Sequence, residues 1–214
     1  MGEIVLVRHG QANSAADNEA DYDRLSDLGK RQAGWLGEWF RERGEVFDAV
    51  RCGTLLRQRQ TAAAMGHDAP EITPGLDEMD YFNLGHALKE RHGIPLPGPD
   101  DFPEHLFQVM HAWHAAEIAG NESFADFESR VTGALKAAAQ EGRRVLCVTS
   151  AGVIGMALRH VLRLDPARLS HVLLPIENTS VHRFWVRGDR MLLAGYNAVP
   201  HMERADRADS RTNQ

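Results

Sequence analysis

Two arginines, a histidine and a serine fall where predicted strands give way to loops or helices. Arg8 and His9 directly follow an apolar run at the start of the chain. Arg57 lies in the first turns of a predicted helix, and Ser150 follows a second apolar run. In an open α/β sheet, ligands bind at the carboxyl ends of the strands. Because guanidinium groups bind phosphate oxygens in pairs and helix N-termini favour anions, these residues predict a phosphate site that contains an imidazole.

The chemistry that fits this set is phosphoryl transfer through the imidazole of His9. A neutral imidazole held by one ring nitrogen can attack phosphorus with the other, which divides one difficult displacement into two easier ones. The arginines stabilise charge on the transferred oxygens, while a carboxylic acid protonates the leaving alkoxide and later takes a proton from water. Asp77, Glu78 and Asp80 come next along the chain, after the predicted helix that carries Arg57, and are the candidate carboxylates. The scheme requires no metal, and we expect no other cofactor.

Short apolar runs alternate with amphipathic stretches along most of the chain. Such alternation is typical of βαβ units, which place helices on both faces of a largely parallel sheet. The sequence therefore predicts an α/β fold, a three-layer αβα sandwich with a mostly parallel central sheet and an edge hairpin. The predicted strands cover residues 3–7, 47–52 and 144–149 and, in the hairpin, 180–186 and 190–195. The first predicted helix begins near Ser26, and the later predicted helices cover residues 55–65, 104–118, 124–140 and 152–162.

Changes in composition divide the chain into a main unit, an insertion and a tail. Residues 76–124 contain several glycines and prolines around a helix-like stretch, which predicts a small cap insertion off the sheet. Residues 203–214 are charged and almost without apolar side chains, which predicts a disordered tail. We therefore expect a single domain over residues 1–202 that includes the cap.

Charge and length restrict the classes of partner. The chain has 214 residues, a formal net charge of -6 and a pI of about 6.0, so we expect no nucleic-acid or membrane partner. We expect a small phosphorylated substrate, and a monomer or homodimer. The chain has no apolar run of about 18 residues and no leader-like start, which predicts a soluble, cytoplasmic protein. Cys52 and Cys147 lie in apolar stretches, which predicts buried free thiols.

Several motifs follow one another in the order found in a known family. They are Leu6-Val7-Arg8-His9-Gly10-Gln11, Leu25-Ser26-Asp27-Leu28-Gly29, Leu55-Leu56-Arg57-Gln58-Arg59-Gln60-Thr61-Ala62, Gly75-Leu76-Asp77-Glu78, Phe127-Glu128-Ser129-Arg130-Val131, Ala151-Gly152-Val153-Ile154 and Glu177-Asn178-Thr179-Ser180. In these motifs the chain resembles the histidine phosphatase superfamily, in its phosphoglycerate-mutase-like branch, over nearly its whole length.

This resemblance implies a role for each residue that matches a motif. It implies His9 as the phosphorylated nucleophile and Glu78 as the proton donor. It implies Arg8 and Arg57 as phosphate ligands and places Ser150 where the family has a second histidine. Serine in place of that histidine removes one cation from the expected phosphate pocket.

The serine has two interpretations at this stage. A hydroxyl still donates one hydrogen bond, so Ser150 is a candidate phosphate ligand at a site where losing one donor costs about 10²–10³-fold in rate. Ser150 is also a candidate N-cap for the helix that follows it. Gln11 and Asn13 are candidate substrate contacts, although polar loop residues commonly bond their own backbone.

Three functions remain open on the sequence. The leading hypothesis is a phosphatase that hydrolyses a small phosphomonoester through a phosphohistidine, with activity reduced by Ser150. The alternatives are a phosphoglycerate-type mutase and a degenerate phosphate-binding module with little turnover. Aromatic residues of the cap favour a bulky leaving group, and hence the hydrolase over the mutase.

Overall fold

A six-stranded mixed sheet lies at the centre of the computed structural model, which describes residues 1–13 and 19–213. The strands are β1 Gly2–Arg8, β2 Ala49–Cys52, β3 Glu71–Ile72, β4 Arg144–Thr149, β5 Val181–Arg187 and β6 Arg190–Ala198. Their order across the sheet is β3-β2-β4-β1-β5-β6. Strands β1 to β4 run parallel, whereas β5 runs antiparallel to β1 and forms an edge hairpin with β6. The predicted sheet and hairpin are confirmed.

Helices cover both faces of this sheet. They are α1 Glu19–Tyr22, α2 Asp27–Glu42, α3 Leu56–Ala64, α4 Tyr81–His92, α5 Phe102–His114, α6 Phe124–Ala138, α7 Ala151–Leu162 and α8 Leu169–Leu173. Successive β1 side chains point to opposite faces, so Leu6 is buried among α4 to α8 and Val7 among α2 and α3. This confirms the three-layer αβα sandwich. None of these described helices is long and apolar enough to cross a membrane.

The register of the parallel strands brings the predicted site residues to one edge of the sheet. Arg8 at the end of β1 lies opposite Thr149 at the end of β4. The backbone N–H of His9 donates to the carbonyl of Thr149 over 2.9 Å, so His9 and Ser150 leave neighbouring strands side by side. Strand β2 ends at Cys52 on the other side of β4 and leads toward α3. The loops after β1, β2 and β4 therefore meet.

The predicted cap contributes to the same apolar core as the sheet. Leu88 of α4 and Trp113 of α5 are buried in the core on the Leu6 face. The indole nitrogen of Trp113 donates to the carbonyl of Glu122 over 3.1 Å, which satisfies the one polar group that this large side chain carries into the core. Helix α5 ends at His114, earlier than predicted, because Ala116 adopts a left-handed backbone conformation with φ 56°.

Residues of the predicted disordered tail make contacts with the rest of the chain. The Arg207 guanidinium carbon lies 4.6 Å from the centre of the Trp35 ring, and Arg211 Nε donates to Glu177 over 2.8 Å. Thr212 accepts a hydrogen bond from Gln32 and donates one to Asn178. These contacts are cation–π, ionic and polar, so the low apolar content of the segment does not indicate them. Gln214 lies outside the described residues.

Both cysteines are buried free thiols, as predicted. Burial raises the pKa of Cys52 to about 11 and that of Cys147 to about 12, so both remain protonated at neutral pH. Within residues 1–13 and 19–213, no three His, Cys, Asp or Glu side chains are grouped so that they could hold a metal ion.

Helix α2 begins in backbone contact with the loop that follows His9. Ser26 caps α2 by accepting a hydrogen bond from the N–H of Gly29 over 3.0 Å, as predicted. A Cβ added to Gly29 would lie 2.1 Å from the carbonyl oxygen of Gln11, and one added to Gly10 would lie 2.4 Å from the carbonyl oxygen of Gly29. Glycine at both positions therefore permits this close approach.

We expect Gly29→Ala to lower the free energy of unfolding by about 1–3 kcal/mol, because the new methyl group must displace backbone. Gly133 in α6 is the matched control, since a Cβ there meets nothing within 4 Å. Gly133→Ala should raise the free energy of unfolding by about 0.5–1 kcal/mol. Urea unfolding monitored by circular dichroism measures both, and a Gly29→Ala variant as stable as the parent would contradict the contact.

Candidate active site

His9 is held in one ring tautomer at the end of β1. Its Nδ1 lies 2.8 Å from the carbonyl oxygen of Gly10. A carbonyl can only accept, so Nδ1 carries the proton and the neutral ring keeps its free electron pair on Nε2. The Gly10 N–H donates to Thr61 Oγ1 over 3.0 Å, which ties this turn to α3. The His9 side chain is thus fixed with Nε2 unprotonated, and its exposed fraction is 2%.

The electrostatic environment keeps this imidazole neutral. Burial lowers the pKa of His9 well below its usual value, and the guanidinium groups of Arg57 and Arg8 lower it further. A neutral ring is the form that attacks phosphorus, so the two cations that suit a phosphate also keep the imidazole deprotonated at Nε2.

The Arg8 guanidinium donates hydrogen bonds through Nη1, whereas its Nε–H remains available. Its Nη1 donates to the carbonyl of Ile176 and, over 3.0 Å, to that of Asn213. Its buried Nε has no hydrogen-bond partner among the described residues. Burial lowers the pKa of Arg8, while Tyr22 and Glu78 act to raise it. A buried guanidinium N–H without a partner is what an anion-binding pocket requires.

Arg57 reaches the pocket from the first turn of α3 and is paired with Asp23. The two side chains form an ion pair with Arg57 Nη1 3.2 Å from Asp23 Oδ1. The same carboxylate accepts the backbone N–H groups of Leu56 over 2.9 Å and Arg57 over 3.0 Å, so it also caps α3. Asp23 was not predicted as a site residue, because it lies in a polar, acidic loop with no local sign of a distant partner. Residues 14–18 of that loop lie outside the described residues.

Tyr22 covers part of the pocket. Its ring centre lies 4.9 Å from the Arg57 guanidinium carbon and 6.4 Å from the centre of the His9 ring, which it meets edge to face. An aromatic face stabilises a guanidinium by a cation–π interaction and excludes water from it. No local feature of the sequence indicates this position for Tyr22.

Glu78 lies at the N-terminus of α7. Its carboxylate accepts the N–H of Gly152 over 3.0 Å and that of Met79 over 3.0 Å. A Cβ at Gly152 would lie 2.1 Å from Glu78 Oε1, so glycine is what permits this approach. The structure therefore brings Glu78 to the same sheet edge as the residues that follow β4.

The neighbouring carboxylates have structural roles instead. Asp77 accepts a hydrogen bond from the Thr54 hydroxyl over 2.7 Å, and Asp80 caps α4 by accepting the N–H of Asn83 over 3.1 Å. Both carboxylates are therefore engaged in structural hydrogen bonds, and Glu78 remains the candidate proton donor.

Arg130 fixes the backbone on which Glu78 stands. Its guanidinium donates to the carbonyls of Asp77 over 2.8 Å and Glu78 over 3.3 Å. It also forms an ion pair with Glu122 at 2.7 Å and lies 4.6 Å from the centre of the Phe127 ring. Arg130, which lies in one of the sequence motifs, thus supports the loop that carries Glu78.

Ser150 occupies the N-cap position of α7, but its side chain makes no capping hydrogen bond. Its Oγ accepts a hydrogen bond from Gln58 Nε2 over 2.8 Å, and its exposed fraction is 0%. The interpretation of Ser150 as a side-chain cap alone is therefore wrong. Gln58 was not predicted as a site residue, although it directly follows Arg57.

The two candidate substrate contacts are engaged within the protein. Gln11 Oε1 accepts a hydrogen bond from the Ser26 hydroxyl over 2.8 Å. Asn13 Nδ2 donates to the backbone carbonyl of Asp21 over 3.1 Å, so this side chain bonds its own loop. The structure does not bring either amide into hydrogen-bond contact with His9.

A support loop, residues 177–180, holds the end of β1 from the side opposite β4. The N–H of Thr179 donates to the carbonyl of Arg8 over 3.1 Å, and Asn178 Nδ2 donates to the carbonyl of His9 over 3.2 Å. Thr179 has φ 56°, a strained conformation for a β-branched residue. The strain is consistent with a loop whose shape is fixed by the pocket it supports.

Two buried histidines brace the support loop. His182 Nδ1 accepts the N–H of Asn197 over 3.2 Å, so its proton lies on Nε2, which is 2.9 Å from Ser180 Oγ. His201 Nε2 lies 2.8 Å from Thr179 Oγ1. Burial, aided by a nearby arginine in each case, lowers the pKa of both histidines to about 3. Both are neutral structural residues.

Residues 4–199 match the model of the histidine phosphatase superfamily (branch 1). Because this match covers most of the chain, the protein belongs to the histidine phosphatase superfamily. The predicted resemblance is confirmed, and the order of motifs along the chain reflects membership of this family.

Individual relatives are more distant. A segment of 96 residues, 44% of this chain, is 31% identical to Serine/threonine-protein phosphatase Pgam5, mitochondrial, of Drosophila virilis, and spans 29% of that protein. A mutant phosphoserine phosphatase of Entamoeba histolytica in complex with phosphoserine is 19% identical, with a TM-score of 0.69 over 94% of this chain and 100% of that one. Mycobacterial glucosyl-3-phosphoglycerate phosphatase is 20% identical, with a TM-score of 0.65 over 92% and 98% of the two chains. These structures share the fold.

We expect the free energy of unfolding to fall as the pH is lowered below about 6.5, the pKa of histidine in an unfolded chain. His9, His182 and His201 have lowered pKa values in the folded protein, so below this pH the unfolded state binds more protons. Each histidine should contribute a slope of up to about 1.4 kcal/mol per pH unit, down to its folded pKa.

Urea unfolding between pH 5 and 7 measures this slope. His182→Gln should reduce it by up to about 1.4 kcal/mol per pH unit, most at the acid end of this range, whatever its effect on stability at pH 7, because one titrating group is removed. An equal slope in the parent and in His182→Gln would show that this histidine titrates alike in both states.

Proposed function

We propose that the protein is a phosphomonoester hydrolase that acts through a phosphohistidine at His9. The observation that carries the proposal is the hydrogen bond from His9 Nδ1 to the Gly10 carbonyl, which leaves Nε2 free beside two buried arginines. His182, by contrast, has hydrogen-bond partners at both ring nitrogens. Membership of the histidine phosphatase superfamily supports the same reaction.

The proposed reaction has two displacements. Arg8 and Arg57 hold the phosphoryl oxygens while His9 Nε2 forms a bond to phosphorus and the ester P–O bond breaks. Glu78 gives its proton to the leaving oxygen, so the alcohol departs neutral. Water then attacks the phosphohistidine, Glu78 takes a proton from it, the P–N bond breaks and inorganic phosphate leaves.

A small phosphorylated metabolite is the proposed class of substrate. The similar solved structures include a phosphatase in complex with phosphoserine and a glucosyl-3-phosphoglycerate phosphatase. The pocket residues are almost fully buried, with exposed fractions of 2% for His9 and 1% for Arg57, which suits a phosphate carried by a small molecule. The basic residues of the pocket are few, in keeping with the net charge of -6.

We expect rapid mixing with a chromogenic aryl phosphate to add one phosphoryl group to His9. The adduct should survive an alkaline quench, disappear in acid and be absent in His9→Ala, as measured by intact and peptide mass spectrometry. His111→Ala, which changes an exposed histidine of α5, is the control and should keep the label. A label or turnover that persists in His9→Ala would exclude this nucleophile, and isomerisation of phosphoglycerates with little phosphate release would favour a mutase.

We expect Glu78→Gln to lower kcat by about 10²–10⁴-fold, since an amide cannot transfer a proton but preserves the shape of the side chain. The loss should be smaller with an aryl phosphate whose leaving group needs no protonation, and that contrast identifies the role as acid catalysis. Glu90→Gln, an exposed change on α4, is the matched control. Equal losses for alkyl and aryl substrates would assign Glu78 a positioning role only.

A further inference from the structure

Gln58 lies directly behind Ser150 in the pocket wall. Its exposed fraction is 0%, and its Nε2 donates to Ser150 Oγ over 2.8 Å and to the carbonyl of Leu76 over 3.0 Å. Both N–H groups of the carboxamide are therefore used, which fixes its position. Gln58 adjoins Arg57 in α3, so its contact with Ser150 joins the two elements that would enclose a phosphate.

The direction of this hydrogen bond leaves the Ser150 proton available. A hydroxyl donates one hydrogen bond and accepts up to two. Gln58 supplies a hydrogen to the oxygen, and Ser150 makes no side-chain cap to α7. Among the described residues, no acceptor for the Ser150 hydroxyl proton is found. A buried hydroxyl whose oxygen is satisfied and whose proton is unused can donate to a ligand that enters the pocket.

The position of Ser150 suits a hydrogen bond from its hydroxyl to a phosphoryl oxygen of a ligand in the pocket. It follows Thr149, whose carbonyl accepts the N–H of His9 over 2.9 Å. It precedes the turn in which the N–H of Gly152 binds the Glu78 carboxylate over 3.0 Å. The serine therefore lies between the nucleophile and the acid along the sheet edge.

We propose that Gln58 is a positioning residue that directs the Ser150 hydroxyl toward the bound phosphoryl group, so that the pair supplies a neutral hydrogen-bond donor to the phosphate. This inference rests on the proposed function, because it needs an anion in the pocket. Gln58 touches Ser150 and not the phosphate. The pair cannot lose a proton in the working pH range, so this side of the pocket keeps its donor at any such pH.

The pair also explains why histidine at position 150 requires a second change. Gln58 Nε2 and Ser150 Oγ are in hydrogen-bond contact, and both side chains are fully buried. An imidazole at position 150 would have to displace the carboxamide, since a packed interior leaves no free space for a larger ring. The two positions therefore behave as one unit.

The first test is a double-mutant cycle on anion affinity measured by calorimetry. Inorganic sulfate is the probe because it is a tetrahedral dianion whose charge does not change with pH. Ser150→Ala and Gln58→Ala should each weaken sulfate binding by about ten- to a hundredfold, the contribution of a hydrogen bond to a charged group. The double variant should bind no more weakly than Ser150→Ala, because Gln58 acts only through the hydroxyl.

Ser170→Ala is the matched control, since Ser170 is a buried serine of α8 away from the site. It should leave sulfate affinity unchanged. Thermal unfolding of every variant separates loss of binding from loss of folding. The proposal is overturned if Gln58→Ala leaves sulfate affinity at the parental value, or weakens it equally with and without the serine.

A second test exchanges the neutral donor for a cation. Ser150→His alone should unfold at a lower temperature than the parent, and adding Gln58→Ala should restore folding by making room for the ring. The restored protein should bind sulfate more tightly at pH 6 than at pH 8, by a larger ratio than the parent shows. A single Ser150→His variant as stable as the double variant would show that the two side chains do not compete for space.

These outcomes are separable from those of the proposed function. If the parent protein forms no phosphohistidine, the hydrolase proposal fails, whereas the sulfate cycle still reports whether Gln58 and Ser150 bind an anion together. If the phosphohistidine forms and the cycle shows no coupling, the inference about Gln58 fails alone.

Discussion

The constraint on which the rest of the site depends is the burial of two guanidinium groups beside one imidazole. Arg8 and Arg57 are almost fully buried, and charges of one sign repel more strongly where water is excluded. Each is therefore held by a partner on its outer side, Arg57 by the Asp23 carboxylate and Arg8 by backbone carbonyls. Burial, together with the same two charges, lowers the pKa of His9 and keeps the ring neutral. The proposed nucleophile and the proposed anion site thus depend on one arrangement.

Helix N-termini provide the second element of this electrostatic design. Asp23 accepts two backbone N–H groups at the start of α3, and Glu78 accepts one at the start of α7. Both carboxylates are consequently fixed beside the pocket by backbone N–H groups. Gly152 is essential to this arrangement because it lets Glu78 approach the backbone.

With Ser150, the proposed phosphate pocket has one cation fewer than the family resemblance implies. The serine at position 150 is coupled to a second residue, because the buried carboxamide of Gln58 donates a hydrogen bond to it. A neutral donor stabilises a developing charge less than a cation does, but it does not add to the repulsion between the two arginines. In the proposed reaction, both the rate and the charge balance of the pocket therefore depend on this pair.

The architecture could be predicted from the sequence, which also indicated candidate site residues. Alternating apolar runs predicted the parallel sheet, its helices and the β5–β6 hairpin, because burial of one face imposes a period on each element. The ends of β1 and β4, with Arg57 in α3, located His9 and Ser150 at one sheet edge. The motifs identified the family, which the match over residues 4–199 confirms.

The hydrogen bonds and ion pairs that position those residues are visible only in the tertiary structure. Asp23 pairs with Arg57 across 34 positions of sequence, and Gln58 with Ser150 across 92, and neither pair has a local signal. The C-terminal segment is likewise fixed by polar contacts with Gln32 and Asn178 that its composition does not reveal. The physical reason is that periodicity records which face of an element is buried, whereas a hydrogen bond between polar side chains depends on where two distant elements meet.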